Sequence, residues 1–356
     1  MRFLRSLRWA SWCVLGILAV TVVAEPRSAF EIVGEYSLPA KASLAFDLRL
    51  GSDPSVLLAV PDQGVIEARK MPSGEASTVK LPGGMAPTEK IRTPMLLGVS
   101  DTFIATASLL KYVAWAPRAN LTKVERISFE VVLDLDLHGD QLLVLGVRRG
   151  SDSALAPDGG ILWLGSLSKG LADLRPIYYS ADGPGAASFN DCFPAKTGAV
   201  RFLADGSFLV IPGVEPGILH FSASGKLLRT WAEEKAGLAG RCTMNEKDGL
   251  ALARSGSAQL QWINQRRVVE DILPLQEAPG IVVRERRDGM TRWQLGLLRA
   301  DGRIDLEDLP LSTERSDARM RGDAHEGQIL LLMQDLHTPT KADAVPARLF
   351  ALHRQE

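Results

Sequence analysis

The sequence predicts an all-β fold, a β-propeller built from four-stranded antiparallel blades. A two-part apolar phrase is written more than once along the chain. Asp/Gly turns recur at intervals of roughly 40–50 residues, the period of a propeller blade. No long amphipathic helical pattern competes for the chain.

The phrase is clearest when Asp47–Val60, DLRLGSDPSVLLAV, is set against Asp134–Val147, DLDLHGDQLLVLGV. Each begins with alternation, which puts Leu48 and Leu50, or Leu135 and Leu137, on one face of a strand. A Gly/Ser/Asp step follows and reads as a hairpin turn. The Leu/Val run after it suits a strand buried on both faces. The same turn-then-run signal follows Asp101, Asp205-Gly206, Asp248-Gly249 and Glu326-Gly327. The wider gap after Asp140 holds RRGSDSALAPDGG and YYSADGPGAASFN, which read as inserted loops. A further unit is expected between Gly280 and Leu311.

Third and fourth strands are expected in GVIEARKMPSGEASTVKL, GILHFSASGKLLRTW and AQLQWINQRRVVEDILPL. Arg201–Trp231 is the clearest single copy, with the end of a first strand and then three more. The last unit, from GQILLLMQ to ARLFALHRQE, lacks an outermost strand, and FEIVGEYSLP near the start has no unit of its own. Pairing the two closes the ring and covers two edges. The count is seven blades, or six if the Gly280 region does not form its own.

On FLADGSFLVIPG and GILHFSASGKLLRTW the chain resembles the secreted bacterial β-propellers of the NHL-like and related six- or seven-bladed group. The resemblance extends over nearly all of the chain beyond the first two dozen residues. Most blades lack the Arg/Asn pair that the NHL consensus places before the third strand. The resemblance implies architecture, and by fold-level analogy a ligand site at the mouth of the central channel.

Among the 356 residues, 46% are apolar and 23% charged, as in a globular protein. With 41 basic and 42 acidic residues the chain carries no polyanion footprint, which argues against nucleic acid as a partner. RERRDGMTR, Arg284–Arg292, reads as a solvated hairpin. Arg2, Arg5 and Arg8 precede an apolar run that ends in Val22-Val23-Ala24, the pattern of a signal peptide over residues 1–24. The alternative is an uncleaved anchor, although Val14–Ala24 is short for a bilayer span. Residues 25–356 would then form one propeller domain, a secreted or periplasmic monomer with no stable membrane span.

That leaves Cys192 and Cys242, an even pair that an exported chain can bridge. Such a bridge closes a loop of about 50 residues and contributes about 3–4 kcal/mol in the chain-entropy model. The alternative is two buried thiols.

Asp134, Asp136 and His138 alternate on one strand and so share a face. Two carboxylates and an imidazole suit a divalent metal or acid–base work. However, Asp134 matches Asp47 in another repeat, which favours a structural role such as satisfying backbone donors in a turn. FNDCF (Phe189–Phe193) and GRCTMN (Gly240–Asn245) precede strands of neighbouring units, so Asn190, Asp191, Arg241 and Asn245 form the candidate ligand site near one mouth. Trp115, Trp163, Trp231, Trp262 and Trp293 fall in or beside third and fourth strands and are expected to pack between blades. Arg321-Gly322-Asp323 spells an adhesion tripeptide, a match that chance supplies easily. Neither a His-Glu-x-x-His nor a Gly-x-Ser-x-Gly motif occurs.

Two functions fit. One is a non-enzymatic binding or scaffold propeller for a protein, peptide or glycan, with no cofactor. The other is a hydrolase or lactonase that uses carboxylates at the channel mouth, with Ca2+.

Overall fold

The computed structural model describes residues 29–38, 47–50, 55–60, 64–71, 73, 75–81, 95–108, 112–148, 160–170, 173–179, 198–212, 217–232, 236–238, 255–335 and 347–354. They form a six-bladed β-propeller of four-stranded antiparallel sheets. Strand β1 (Phe30–Ser37) belongs to the last blade. Blade one is β2 (Asp47–Leu50), β3 (Ser55–Val60), β4 (Val65–Lys70) and β5 (Ala76–Lys80). Blade two is β6 (Met95–Val99), β7 (Phe103–Ser108), β8 (Tyr112–Pro117) and β9 (Glu125–Ser128). Blade three is β10 (Val131–His138), β11 (Gln141–Val147), β12 (Gly160–Ser166) and β13 (Arg175–Tyr179). Blade four is β14 (Ala199–Phe202), β15 (Phe208–Ile211), β16 (Ile218–Phe221) and β17 (Leu227–Trp231).

A helix, α1 (Gly256–Asn264), leads into blade five, which is β18 (Val268–Leu273), β19 (Gly280–Arg287), β20 (Met290–Leu298) and β21 (Ile304–Thr313). Blade six is β22 (Ala318–His325), β23 (Gln328–Asp335) and β24 (Arg348–Arg354), with β1 as its fourth strand. Strand β1 runs antiparallel to β24 from Phe30 opposite Arg354 to Ser37 opposite Arg348. The N-terminal strand therefore closes the ring, as the sequence suggested.

Seven blades was one too many. The stretch VVEDIL, read as the outer end of one unit, is the innermost strand of the blade that contains the Gly280 region. The stretch AQLQWIN, expected as a strand, is helical. The Ser255 hydroxyl caps it by accepting from the amide of Ala258, and Trp262 and Ile263 on its last turn are buried. Asp248-Gly249 lies outside the described residues.

Apolar clusters fill all six junctions between blades. Leu48, Val56 and Leu58 of blade one meet Leu330, Leu332 and Leu349 of blade six. Trp115 of blade two packs with Val144 and Trp163 of blade three, and Trp293 of blade five packs with Met320 and Leu331 of blade six. The five tryptophans among the described residues are buried, and four lie on third or fourth strands; Trp262 is on α1 instead. The turn between first and second strands of blade four follows the Asp/Gly reading. In blade four, Asp205 Oδ1 accepts from the amide and hydroxyl of Ser207 at 2.9 and 2.6 Å, and Gly206 between them has φ of 79°.

This topology gives the ring two distinct faces. The end of each outermost strand and the start of the next innermost strand, which a crossover connects, lie on one face, together with the ends that join second and third strands. The first turn of each blade lies on the opposite face.

Candidate functional site: the channel and its mouth

The six innermost strands line the channel, and alternate residues on each point towards the following blade or the axis. Asp47 and Arg49 come from blade one, Asp134 and Asp136 from blade three, Arg201 from blade four, Asp271 from blade five, and Arg321 and Asp323 from blade six. All eight are buried.

The aspartates latch one blade to the next. Asp47 Oδ2 accepts from the amide of Leu97 in blade two at 2.9 Å. Asp134 and Asp136 accept from Val200 and Phe202 in blade four at 3.0 and 2.8 Å. Asp271 accepts from Gly322 in blade six at 2.9 Å, and Asp323 from Leu50 in blade one at 2.9 Å. The innermost strands are too splayed to share a full ladder, so a carboxylate supplies the acceptor that each amide needs. The structural role expected for Asp134 is thus present, but it reaches across a blade junction rather than within a turn.

The arginines then tie these carboxylates together. Arg321 stands among blades one, three and five, at 3.0 Å from Asp134, 3.6 Å from Asp47 and 3.6 Å from Asp271. Arg49 lies 2.9 Å from Asp47 and 3.4 Å from Asp136, and donates to the carbonyl of Leu135 at 2.9 Å. Arg201 donates to Asp271 at 2.8 Å and to the carbonyl of Gly322 at 3.2 Å. Five aspartates face three arginines, a formal excess of two negative charges.

That excess sits in low dielectric. Burial pushes the carboxyls of Asp134, Asp136 and Asp323 above the usual range, against the pull of the arginines. Burial acts on Asp271 too, but Arg201, Arg321 and Arg49 outweigh it and hold that carboxyl low. Burial opposes the charge of Arg201, yet Asp271, Asp136 and Asp134 hold it firmly protonated.

A second buried cluster joins blades five and six. Glu270 accepts from Arg319 at 2.6 Å, from the Trp293 indole at 2.9 Å and from the amide of Met320 at 2.9 Å. Arg284 lies 3.8 Å from Glu270 and donates to the carbonyls of Ala318 and Ser316. Burial lowers its pKa to about 10.

His138, expected beside Asp134 and Asp136, lies at the exposed end of β10 against the Phe202 ring. Among the described residues no group of three His, Cys, Asp or Glu side chains is placed to hold a metal. The adhesion tripeptide is buried: Arg321 is 8% and Asp323 7% exposed on an innermost strand, where no partner protein reaches both. RERRDGMTR is a hairpin as read, but its Arg284 is wholly buried rather than solvated. Asn190, Asp191, Arg241, Asn245, Cys192 and Cys242 lie outside the described residues, as do residues 1–24. In the chain those six residues fall between β13 and β14 and between β17 and α1. Among the described residues no helix is long and apolar enough to cross a membrane.

The sheet order and the channel define a six-bladed β-propeller. Among solved structures it is similar to a member of the DUF4221 family from Bacteroides vulgatus, with a TM-score of 0.55 at 9% identity over 91% of this chain and 98% of that one. It is also similar to a streptogramin B lyase, with a TM-score of 0.46 at 10% identity over 91% and 97% of the two chains. A virginiamycin B lyase from Staphylococcus aureus gives 0.44 at 8% identity over 91% and 99%. At these identities the likeness is one of fold. No family model matches the chain, and no curated protein matches it.

Proposed function

We propose that this propeller is a non-enzymatic binding or scaffold module that works outside the cytoplasm and recognises a protein, peptide or glycan on its crossover face. The observation that supports this most is the place of Arg321. Its guanidinium occupies the point where the carboxylates of Asp47, Asp134 and Asp271 converge. Carboxylates buried against a guanidinium and backbone amides are engaged in holding the ring, which argues against their doing acid–base work on a substrate. The basic and apolar N-terminal segment supports an extracytoplasmic location.

Recognition would then fall to the crossover loops, where the repeats differ most, with Asn190, Asp191, Arg241 and Asn245 as contacts and a Cys192–Cys242 bridge holding two loops together. The test is a screen of immobilised peptides and glycans with the purified chain. A saturable hit that weakens at least tenfold when those four residues become Ala supports the reading.

A second reading, a hydrolase or lactonase with Ca2+, is favoured by the convergence of carboxylates from blades one, three and five. It requires Arg321 to withdraw from them. Turnover of esters or lactones that needs Ca2+ and disappears in Asp134→Asn would replace the binding reading.

A further inference from the structure

A cavity of about 150 Å³ opens on the face opposite the crossovers, between blades five and six. Its floor is apolar: Leu295 and Leu297 of β20, Ile329 of β23 and Phe30 at the start of β1. Its outer wall is the connector between β18 and β19, residues 274–279. The equivalent turn in blade six is only Glu326-Gly327. This connector departs from the repeat, and Pro274 and Pro279 bound it, which limits the freedom it loses on forming a wall. The amide of Leu298 donates to the carbonyl of Pro279 at 2.9 Å and fixes the wall to the floor.

The mouth carries charge. Arg354 donates to Glu277 of the connector at 3.2 Å and to Glu307 of β21 at 3.1 Å. Glu277 is 83% exposed and Arg354 41%, so the pair that spans the mouth is weak and exchangeable. A guanidinium presents paired donors that match a carboxylate from any source. An apolar cavity of about 150 Å³ has room for a single aromatic ring. From these features we infer that the cavity binds a one-ring organic carboxylate, the ring on Leu295, Leu297 and Ile329 and the carboxylate on Arg354 in place of Glu277. This site is separate from the crossover face and does not depend on what binds there.

The test is a 19F NMR titration of the full chain with 4-fluorobenzoate and, as the neutral probe, 4-fluorobenzyl alcohol. Saturable binding of the acid is expected. Arg354→Gln should weaken the acid at least tenfold and change the alcohol less than threefold. Glu277→Gln should tighten the acid several-fold by freeing Nη1 of Arg354, with Glu307 still on Nη2. Ala278→Trp, on the connector rather than in a blade, should fill the cavity and abolish both while leaving the circular dichroism spectrum unchanged. Absence of saturable binding, or binding indifferent to Ala278→Trp, would overturn the proposal. An acid and an alcohol equally affected by Arg354→Gln would remove the carboxylate from it.

Discussion

Arg321 on β22 donates from Nη2 to Oδ1 of Asp134 on β10 at 3.0 Å, which ties blade six to blade three across the channel instead of around the ring. The remaining nitrogens of the same guanidinium face Asp47 and Asp271. Contacts at the junctions join neighbours only. Arg321 therefore joins three alternate blades at once, facing the Oδ1 of each latching carboxylate, which Asp47 shares with Arg49 and Asp271 with Arg201.

Replacing Arg321 by Ala should destabilise the ring by about 3–5 kcal/mol, because three buried carboxylates lose a shared counter-charge. Urea unfolding of the two proteins measures this. In a double-mutant cycle with Asp134→Asn the two losses should fall short of additive by about 0.5–3 kcal/mol. Strict additivity would mean that the 3.0 Å contact contributes nothing.

Part of this was legible in the sequence. The match of Asp47 with Asp134 marked a repeated structural aspartate, because both open the same strand phrase. Its partners were harder to see. Arg49 and Arg321 stand two residues from an aspartate on one strand, a charge pattern that ordinarily marks a solvated face, and only ring closure turns that face inward. Blade five hid its own start. Its connector lacks the Asp/Gly turn that announced the other blades, so VVEDIL read as an outer strand. The helix before it was mistaken for a strand because AQLQWIN alternates at first and carries no acidic residue in its opening turn.

The charge imbalance predicts an unusual response to pH. Asp136 and Asp323 have carboxyls raised above their unfolded range, so between the two values the folded protein holds more protons than the unfolded chain. Their contribution to stability is full below the unfolded pKa and is lost as pH rises through the raised one. Asp271, with its carboxyl lowered, behaves oppositely, and its contribution is lost as pH falls through the folded value. Asp136→Asn keeps an acceptor for the Phe202 amide and removes one surplus charge. It should change stability at pH 7 by no more than about 1 kcal/mol in either direction, the range of a hydrogen bond kept in place. It should also flatten the rise in stability on mild acidification. Asp271→Asn should be costly at pH 7, because Arg201 loses its 2.8 Å partner. Chemical denaturation from pH 4 to 8 separates the two variants, and equal losses would refute the assignment.

Glu270 should be the most sensitive position at the junction of blades five and six. Its carboxylate lies between Arg284 and Arg319, and it also accepts from Trp293. Glu270→Ala leaves two buried guanidiniums and an indole without that acceptor, a loss of about 3–5 kcal/mol. Glu270→Gln keeps acceptor atoms but not the charge and should fall between the variant and the parent. A shift in tryptophan fluorescence should accompany the first change, since Trp293 is wholly buried beside the lost carboxylate.

Ring closure by β1 can be tested directly. Phe30 of β1 packs with Leu295, Leu297 and Ile329 of blades five and six, so a single strand from the start of the chain secures the final junction. Phe30→Ala should cost about 3 kcal/mol, at the lower end for a buried phenylalanine because the neighbouring cavity already leaves room. Removal of residues 1–37 should do more. It strips the outer edge from β24, whose amides and carbonyls from Arg348 to Arg354 are paired with β1. An unpaired edge recruits other chains. Size-exclusion chromatography with light scattering should show the shortened chain as oligomers or aggregates, while a chain lacking only residues 1–28 elutes like the parent after normal folding. A monodisperse, cooperatively melting protein without β1 would show that blade six stands on three strands and that the N-terminal strand is dispensable to the ring.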